Sequence, residues 1–154
     1  MKKRIVLLTT LAAMLAAAMA LSGVAQAAPI SGKADVQCLK LAIKTLGPSF
    51  NPGTYTFIGG TEGIDNFSNP PQATAGPDVI CGFGGDDAIF TVDAGDIFLG
   101  GEGNEFIAFN SGTVYGGEGN DFIDTNKGTF DGGAGTDEVS INEGGILISV
   151  EVHF

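Results

Sequence analysis

Five nine-residue segments of the chain place glycines ahead of a carboxylate and an apolar residue at fixed offsets. From Gly116, glycines occupy positions 1, 2 and 4 (Gly116, Gly117, Gly119), Asp121 position 6 and Ile123 position 8. The pattern recurs as Gly100, Gly101, Gly103, Glu105 and Ile107, and as Gly132, Gly133, Gly135, Asp137 and Val139. Upstream it is looser: Gly82, Gly84 and Asp87 in one segment, and Gly60 with Asp65 in the first. Glycines at these places permit backbone angles closed to other residues, so carbonyls can turn toward one point. The position-6 carboxylate adds a charged oxygen. Oxygen donors with no His or Cys among them suit a hard cation with flexible coordination, calcium before magnesium or zinc. For any one of these aspartates, the competing role is an Asx turn that caps its own backbone. Stacked in register at a strand spacing of about 4.8 Å, however, the carboxylates would repel one another unless a cation lay between them.

Positioning such a row requires a repeating scaffold, and the sequence contains one. Gly100 to Tyr115, Gly116 to Asp131 and Gly132 to Leu147 are three copies of a sixteen-residue unit, the first two identical at 10 of 16 positions. The third keeps Gly at positions 1, 2, 4 and 13 and Asn at position 11. Each unit splits into a loop with a short strand, then a second turn with a second strand. Longer halves continue the register upstream to Gly60, so the chain is expected to wind about five times. One apolar residue recurs per half. Sorted by side they form two columns: Phe67, Ile89, Ile107, Ile123 and Val139, and Ile80, Phe98, Val114, Phe130 and Ile146. Side chains alternate between the faces of a strand, so these columns are the expected core. Composition alone would suit a disordered acidic tail, but such a tail has no reason to keep an apolar residue at one offset in ten successive halves.

Outside the repeats, Lys2, Lys3 and Arg4 precede an apolar run ending at Ala25-Gln26-Ala27, the pattern of a cleavable secretory signal over residues 1–27. Residues 28–58 read as a lead and cap: a helix begun by Asp35 and stopped at Gly47-Pro48, then a strand over 54–58. Residues 59–147 form the roll and 148–154 a tail strand. In an exported chain, Cys38 and Cys81 are candidates for one disulfide, with two free thiols as the alternative. The chain has 154 residues and a net charge of -11; from Glu62 onward, 17 acidic residues face one basic residue, Lys127. That balance excludes a phosphate-backbone-binding surface and disfavours anionic membranes.

With those motifs in place, the repeats resemble hemolysin-type calcium-binding (RTX) repeats over roughly residues 59–147. The resemblance implies an all-β fold, a parallel β-roll or β-helix solenoid, with calcium between the loops of successive turns. It assigns the ions to loop carbonyls and to Asp65, Asp87, Glu105, Asp121 and Asp137. Five stacked loops leave four gaps, and about three calcium ions are expected, with four to five as the ceiling. The best gaps lie between Asp121 and Asp137, then between Glu105 and Asp121; Glu105 is one methylene longer than Asp, and its site is expected to be looser. On the opposite edge Asp78 and Asp96 form at most one weak site, and the later turns there carry no carboxylate. Gly-rich turns bury little, so folding is expected to depend on calcium.

No catalytic constellation accompanies the repeats. His153 is the single histidine, which excludes Ser/His/Asp and Cys/His sites and an HExxH helix. The Gly-rich loops lack the P-loop lysine, and their carboxylates would repel phosphate. The expected function is therefore a secreted, non-enzymatic calcium-binding protein. The alternative is a structural or adhesive surface protein that uses the roll as scaffold. No nucleic-acid partner and no membrane insertion after signal removal are expected.

Overall fold

The computed structural model describes residues 32–67, 74 and 76–151. The expected signal sequence lies outside them, as do most of the Pro-rich insertion and residues 152–154. The described chain is a parallel β-solenoid of about four turns, preceded by one helix. Helix α1 spans Lys33–Leu46, followed by a 3-10 turn at Pro52–Thr54. The strands are β1 (Thr56–Gly59), β2 (Asp78–Gly84), β3 (Ala88–Val92), β4 (Ile97–Glu102), β5 (Phe106–Asn110), β6 (Thr113–Glu118), β7 (Phe122–Asn126), β8 (Thr129–Ala134), β9 (Glu138–Asn142) and β10 (Ile146–Ile148). They form two sheets, one ordered β1-β2-β4-β6-β8-β10 and the other β3-β5-β7-β9, and every pairing is parallel.

Register follows the repeat. Phe106 pairs with Phe122 and Phe122 with Glu138, while Thr113 pairs with Thr129 and Thr129 with Ile146, so each sixteen-residue unit is one turn. Between the sheets lies the core expected from the two columns, Ile80, Ile89, Phe98, Ile107, Val114, Ile123, Phe130 and Val139, with Val92 added. One column residue differs. Ile146 is exposed and Leu147 stands opposite Phe130, because Glu143-Gly144-Gly145 has one residue more than the corresponding Lys127-Gly128 and shifts the last strand by one. Such a shift exchanges the two faces of a strand.

The solenoid has fewer complete turns than the five expected. Among the described residues, 60–67 form no strand and join the sheet through a bridge from Asn66 to Ala88, and β3 is the first strand of its sheet. The helix begins two residues before Asp35: Gly32 is its N-cap, and Asp35 accepts the Gly32 N–H at 3.0 Å and the Gly59 N–H at 3.3 Å. At the other end, the expected tail strand over 148–154 is absent among the described residues, since β10 stops at Ile148.

A parallel sheet needs both faces covered. The outer face of the six-stranded sheet meets this through α1, whose Cys38 and Ala42 pack on Phe57, Val79, Cys81, Ile97 and Leu99. Cys38 and Cys81 are joined by a disulfide with their α-carbons 5.5 Å apart, which ties helix to solenoid. Among the described residues, no helix covers the outer face of the four-stranded sheet. It presents Phe90, Phe106, Phe109 and Ile141 to solvent, with Phe106 stacked on Phe122 at 5.6 Å.

Candidate metal-binding edge

Positions 6 and 8 of each loop-strand segment are two apart and face the same side, so the apolar core drags the carboxylate inward with it. Asp87, Glu105, Asp121 and Asp137 are each no more than 2% exposed and run as a column along one edge of the solenoid. They are linked through the backbone. The carboxylate of Asp87 accepts the Asp65 N–H at 2.8 Å, that of Asp121 the Glu105 N–H at 2.9 Å, and that of Asp137 the Asp121 N–H at 2.8 Å. The column ends at a residue the sequence pattern did not reveal: Glu151 accepts the Asp137 N–H at 2.9 Å. Glu151 follows β10 by three residues, in Ser149-Val150-Glu151, rather than standing at position 6, so no spacing rule could find it.

These bonds use one oxygen per aspartate. The other, Oδ2 of Asp87, Asp121 and Asp137, is buried without a hydrogen-bond partner, and both carboxylate oxygens of Glu105 are in that state. Burial is the main reason the carboxyls of Asp87, Asp137 and Glu105 hold their protons above the usual range. Asp87 is pushed up to about 6, with the Asp65 and Asp86 charges adding to the desolvation and the Asp65 N–H working against it. Glu105 goes to about 9, where Asp121 reinforces the burial. An orphaned buried carboxylate oxygen costs on the order of 1–3 kcal/mol or more, so five in one column are an unfavourable arrangement with nothing to balance them.

The glycines at position 1 show where balance could come from. A Cβ on Gly82 would overlap both Asp87 Oδ2 and the Gly100 carbonyl oxygen; on Gly100, the Glu105 carboxylate and the Gly116 carbonyl; on Gly116, Asp121 Oδ2 and the Gly132 carbonyl. Gly132 faces Asp137 Oδ2 and the Ser149 carbonyl in the same way. At each level, an unpaired carboxylate oxygen and the next turn's carbonyl oxygen crowd the space that a side chain would fill. Among the described residues, no three His, Cys, Asp or Glu side chains gather closely enough to hold an ion alone, so such carbonyls would have to complete any coordination sphere. A mixed carboxylate and carbonyl set of this kind fits calcium.

Other residues depart from the expected pattern. Asp65 is only half-buried, and its Oδ2 accepts the Thr61 N–H and the Thr61 hydroxyl, the local-turn arrangement. Gly84, one of the expected loop ligands, stands at position 3 and pairs with Glu102; Gly85, at φ 96°, holds position 4, level with Gly103. Phe83 pairs with Gly101 and adopts the same left-handed backbone, φ 77° against 118°. Its strain is offset by packing of the ring against the helix-facing cluster.

The opposite edge is closed by hydrogen bonds. Asp78 accepts the Thr74 N–H at 2.6 Å and its hydroxyl at 2.9 Å, while the Asp78 N–H bonds Asp96 at 2.9 Å; neither acid is left with a buried unpaired oxygen. Below them, the recurring Asn at position 11 becomes a ladder. Asn110 donates to Asn126 at 2.8 Å and Asn126 to Asn142 at 3.2 Å. From Asn110 onward one edge thus carries mutually satisfied amides, while the other carries acids with unpaired oxygens. Compared with protein-family models, curated proteins and solved structures, the chain matches none.

Proposed function

We propose that this chain is an extracellular calcium-binding protein of the RTX type, with ions held along the edge formed by Asp87, Glu105, Asp121 and Asp137. The observation that carries this reading is the column of buried carboxylate oxygens without partners, each beside a carbonyl of the next turn. Calcium would supply the positive charge that lets these carboxylates stay ionised in the interior. The three aspartates orient through the backbone N–H groups of the preceding turn, which leaves their second oxygens for the ion. The position-1 glycines keep the cradle open. Because the donors come from successive turns, binding clamps one turn on the next and couples to folding; a site at a hundredfold excess over its dissociation constant adds about 2.7 kcal/mol. No catalytic role is proposed.

Calcium titration of the protein by calorimetry, with circular dichroism alongside, tests this. Uptake of about three ions with a gain in β signal supports it, and Asp121→Ala and Asp137→Ala should each lower the stoichiometry. No heat and no spectral change in the wild type would refute it. A second reading, an adhesive scaffold, is favoured by the exposed row of Phe90, Phe106 and Phe109 on the uncovered sheet. It predicts calcium-dependent capture of a surface partner that Phe106→Ser and Phe109→Ser abolish.

A further inference from the structure

The column is not uniform. Every aspartate in it accepts a backbone N–H of the preceding turn through one carboxylate oxygen, but among the described residues no such bond joins the Asp87 N–H to Glu105. Glu105 is also the one member with both oxygens buried and unpaired, at 2% exposure. Its extra methylene carries the carboxylate past the point where an aspartate would meet the backbone, and places it beside the Gly116 carbonyl at Gly100. Of the neighbouring acids, Asp121 acts on it more strongly than Asp87. Counted by the acids that flank each gap, Glu105–Asp121 and Asp87–Glu105 each have three unpaired carboxylate oxygens, against two for Asp121–Asp137; the Gly116 carbonyl beside Glu105 places its carboxylate on the Asp121 side.

We infer that Glu105 makes the Glu105–Asp121 gap the tightest and most calcium-selective of the sites, reversing the looser binding its length suggests; this rests on the calcium reading above. A carboxylate with both oxygens uncommitted can bind an ion through both. Bidentate carboxylates suit calcium, with its six to eight ligands, whereas magnesium requires a compact octahedron and holds its waters. The neighbouring aspartates each have one oxygen fixed by the backbone and offer a single contact. The substitution that breaks the Asp pattern thus adds a ligand at this level.

The test is competition of the purified protein with a chromophoric calcium chelator, for wild type, Glu105→Asp, Glu105→Gln and Asp137→Asn. Circular dichroism at saturating calcium confirms that each variant is folded. Glu105→Asp is expected to weaken the tightest step about tenfold and Glu105→Gln about a hundredfold. Asp137→Asn should leave that step within about threefold, since it changes a different gap. The calcium-over-magnesium preference, read by repeating the competition with magnesium present, should shrink in Glu105→Asp. The inference is overturned if both Glu105 variants keep the wild-type tightest step, or if Asp137→Asn weakens it as much as Glu105→Gln does. Absence of calcium uptake by the wild type would instead overturn the function reading itself, and this inference with it.

Discussion

Replacing Asp87 by Asn separates the two roles a buried carboxylate can have here, because the amide keeps the shape and loses the charge. In the folded chain, Asp87 accepts the Asp65 N–H at 2.8 Å through Oδ1 while Oδ2 is buried and unpaired. Asparagine can make the same bond through its carbonyl oxygen, and its NH2 takes the place of Oδ2 next to the Gly100 carbonyl, which it can use as an acceptor. The carboxyl of Asp87 has a folded pKa of about 6 against 3.8 for an unperturbed aspartate. With the folded value raised, the folded state binds the proton more tightly than the unfolded one. The stability is fully present below pH 3.8, falls as pH rises and is lost above pH 6. At one pKa unit per 1.36 kcal/mol, the loss at neutral pH is about 3 kcal/mol.

Asparagine has no proton to lose. In cation-free solution at neutral pH, Asp87→Asn should therefore stabilise the protein by about 2–3 kcal/mol, a rise in melting temperature of roughly 10 °C for a chain of this size. At pH 3 the two proteins should melt together. Adding saturating calcium at neutral pH should reverse the order, because the ion neutralises Asp87 in the wild type and gains a charged ligand there that the variant lacks. Circular dichroism melts of metal-stripped protein, with and without calcium, give all three comparisons. If cation-free wild type is already unfolded at neutral pH, the same shift appears as a higher folded fraction for the variant. The reasoning fails if Asp87→Asn is the less stable protein without calcium at neutral pH, or if calcium does not change the order of the two.

Three further outcomes follow from other parts of the fold. Replacing Cys38 and Cys81 together by Ser removes a cross-link across 43 residues and should cost about 4 kcal/mol by loop-closure entropy, read as the difference in denaturant midpoint. Asn126→Ala breaks the bonds from Asn110 and to Asn142 and should cost about 2 kcal/mol, with the calcium stoichiometry unchanged because these amides satisfy one another on the edge away from the unpaired carboxylates. Ile123→Ala opens a cavity at a fully buried column position and should cost about 3 kcal/mol in calcium-loaded melts.

How far the sequence discloses this fold depends on whether a residue's role follows from its offset. Ile107, Ile123 and Val139 recur at position 8, and a parallel stack fixes them inside, so the core was legible before any coordinates. The acids at position 6 were legible for the same reason, being two residues from an inward position. Features that depend on a change in loop length were not. The one-residue insertion at Glu143-Gly144-Gly145 turned Ile146 outward, and the spacing of Glu151 from Asp137, out of step with the repeat, hid its place at the end of the column. The Asn repeat was visible, but its use was not, since an amide column becomes a ladder only when both its N–H and its C=O meet the next amide at the right height. The two edges together explain why charge and neutrality are segregated. A solenoid must satisfy a polar row at each of its corners, and asparagine, with donor and acceptor in one side chain, satisfies itself by stacking. Ionised aspartate and glutamate carry acceptors only, so a stack of them is balanced by protonation or by positive charge from outside the chain. On that account, whether this chain responds to a cation is decided by which of the two residue types occupies the inward corner position, and here the carboxylates occupy one corner at four successive levels.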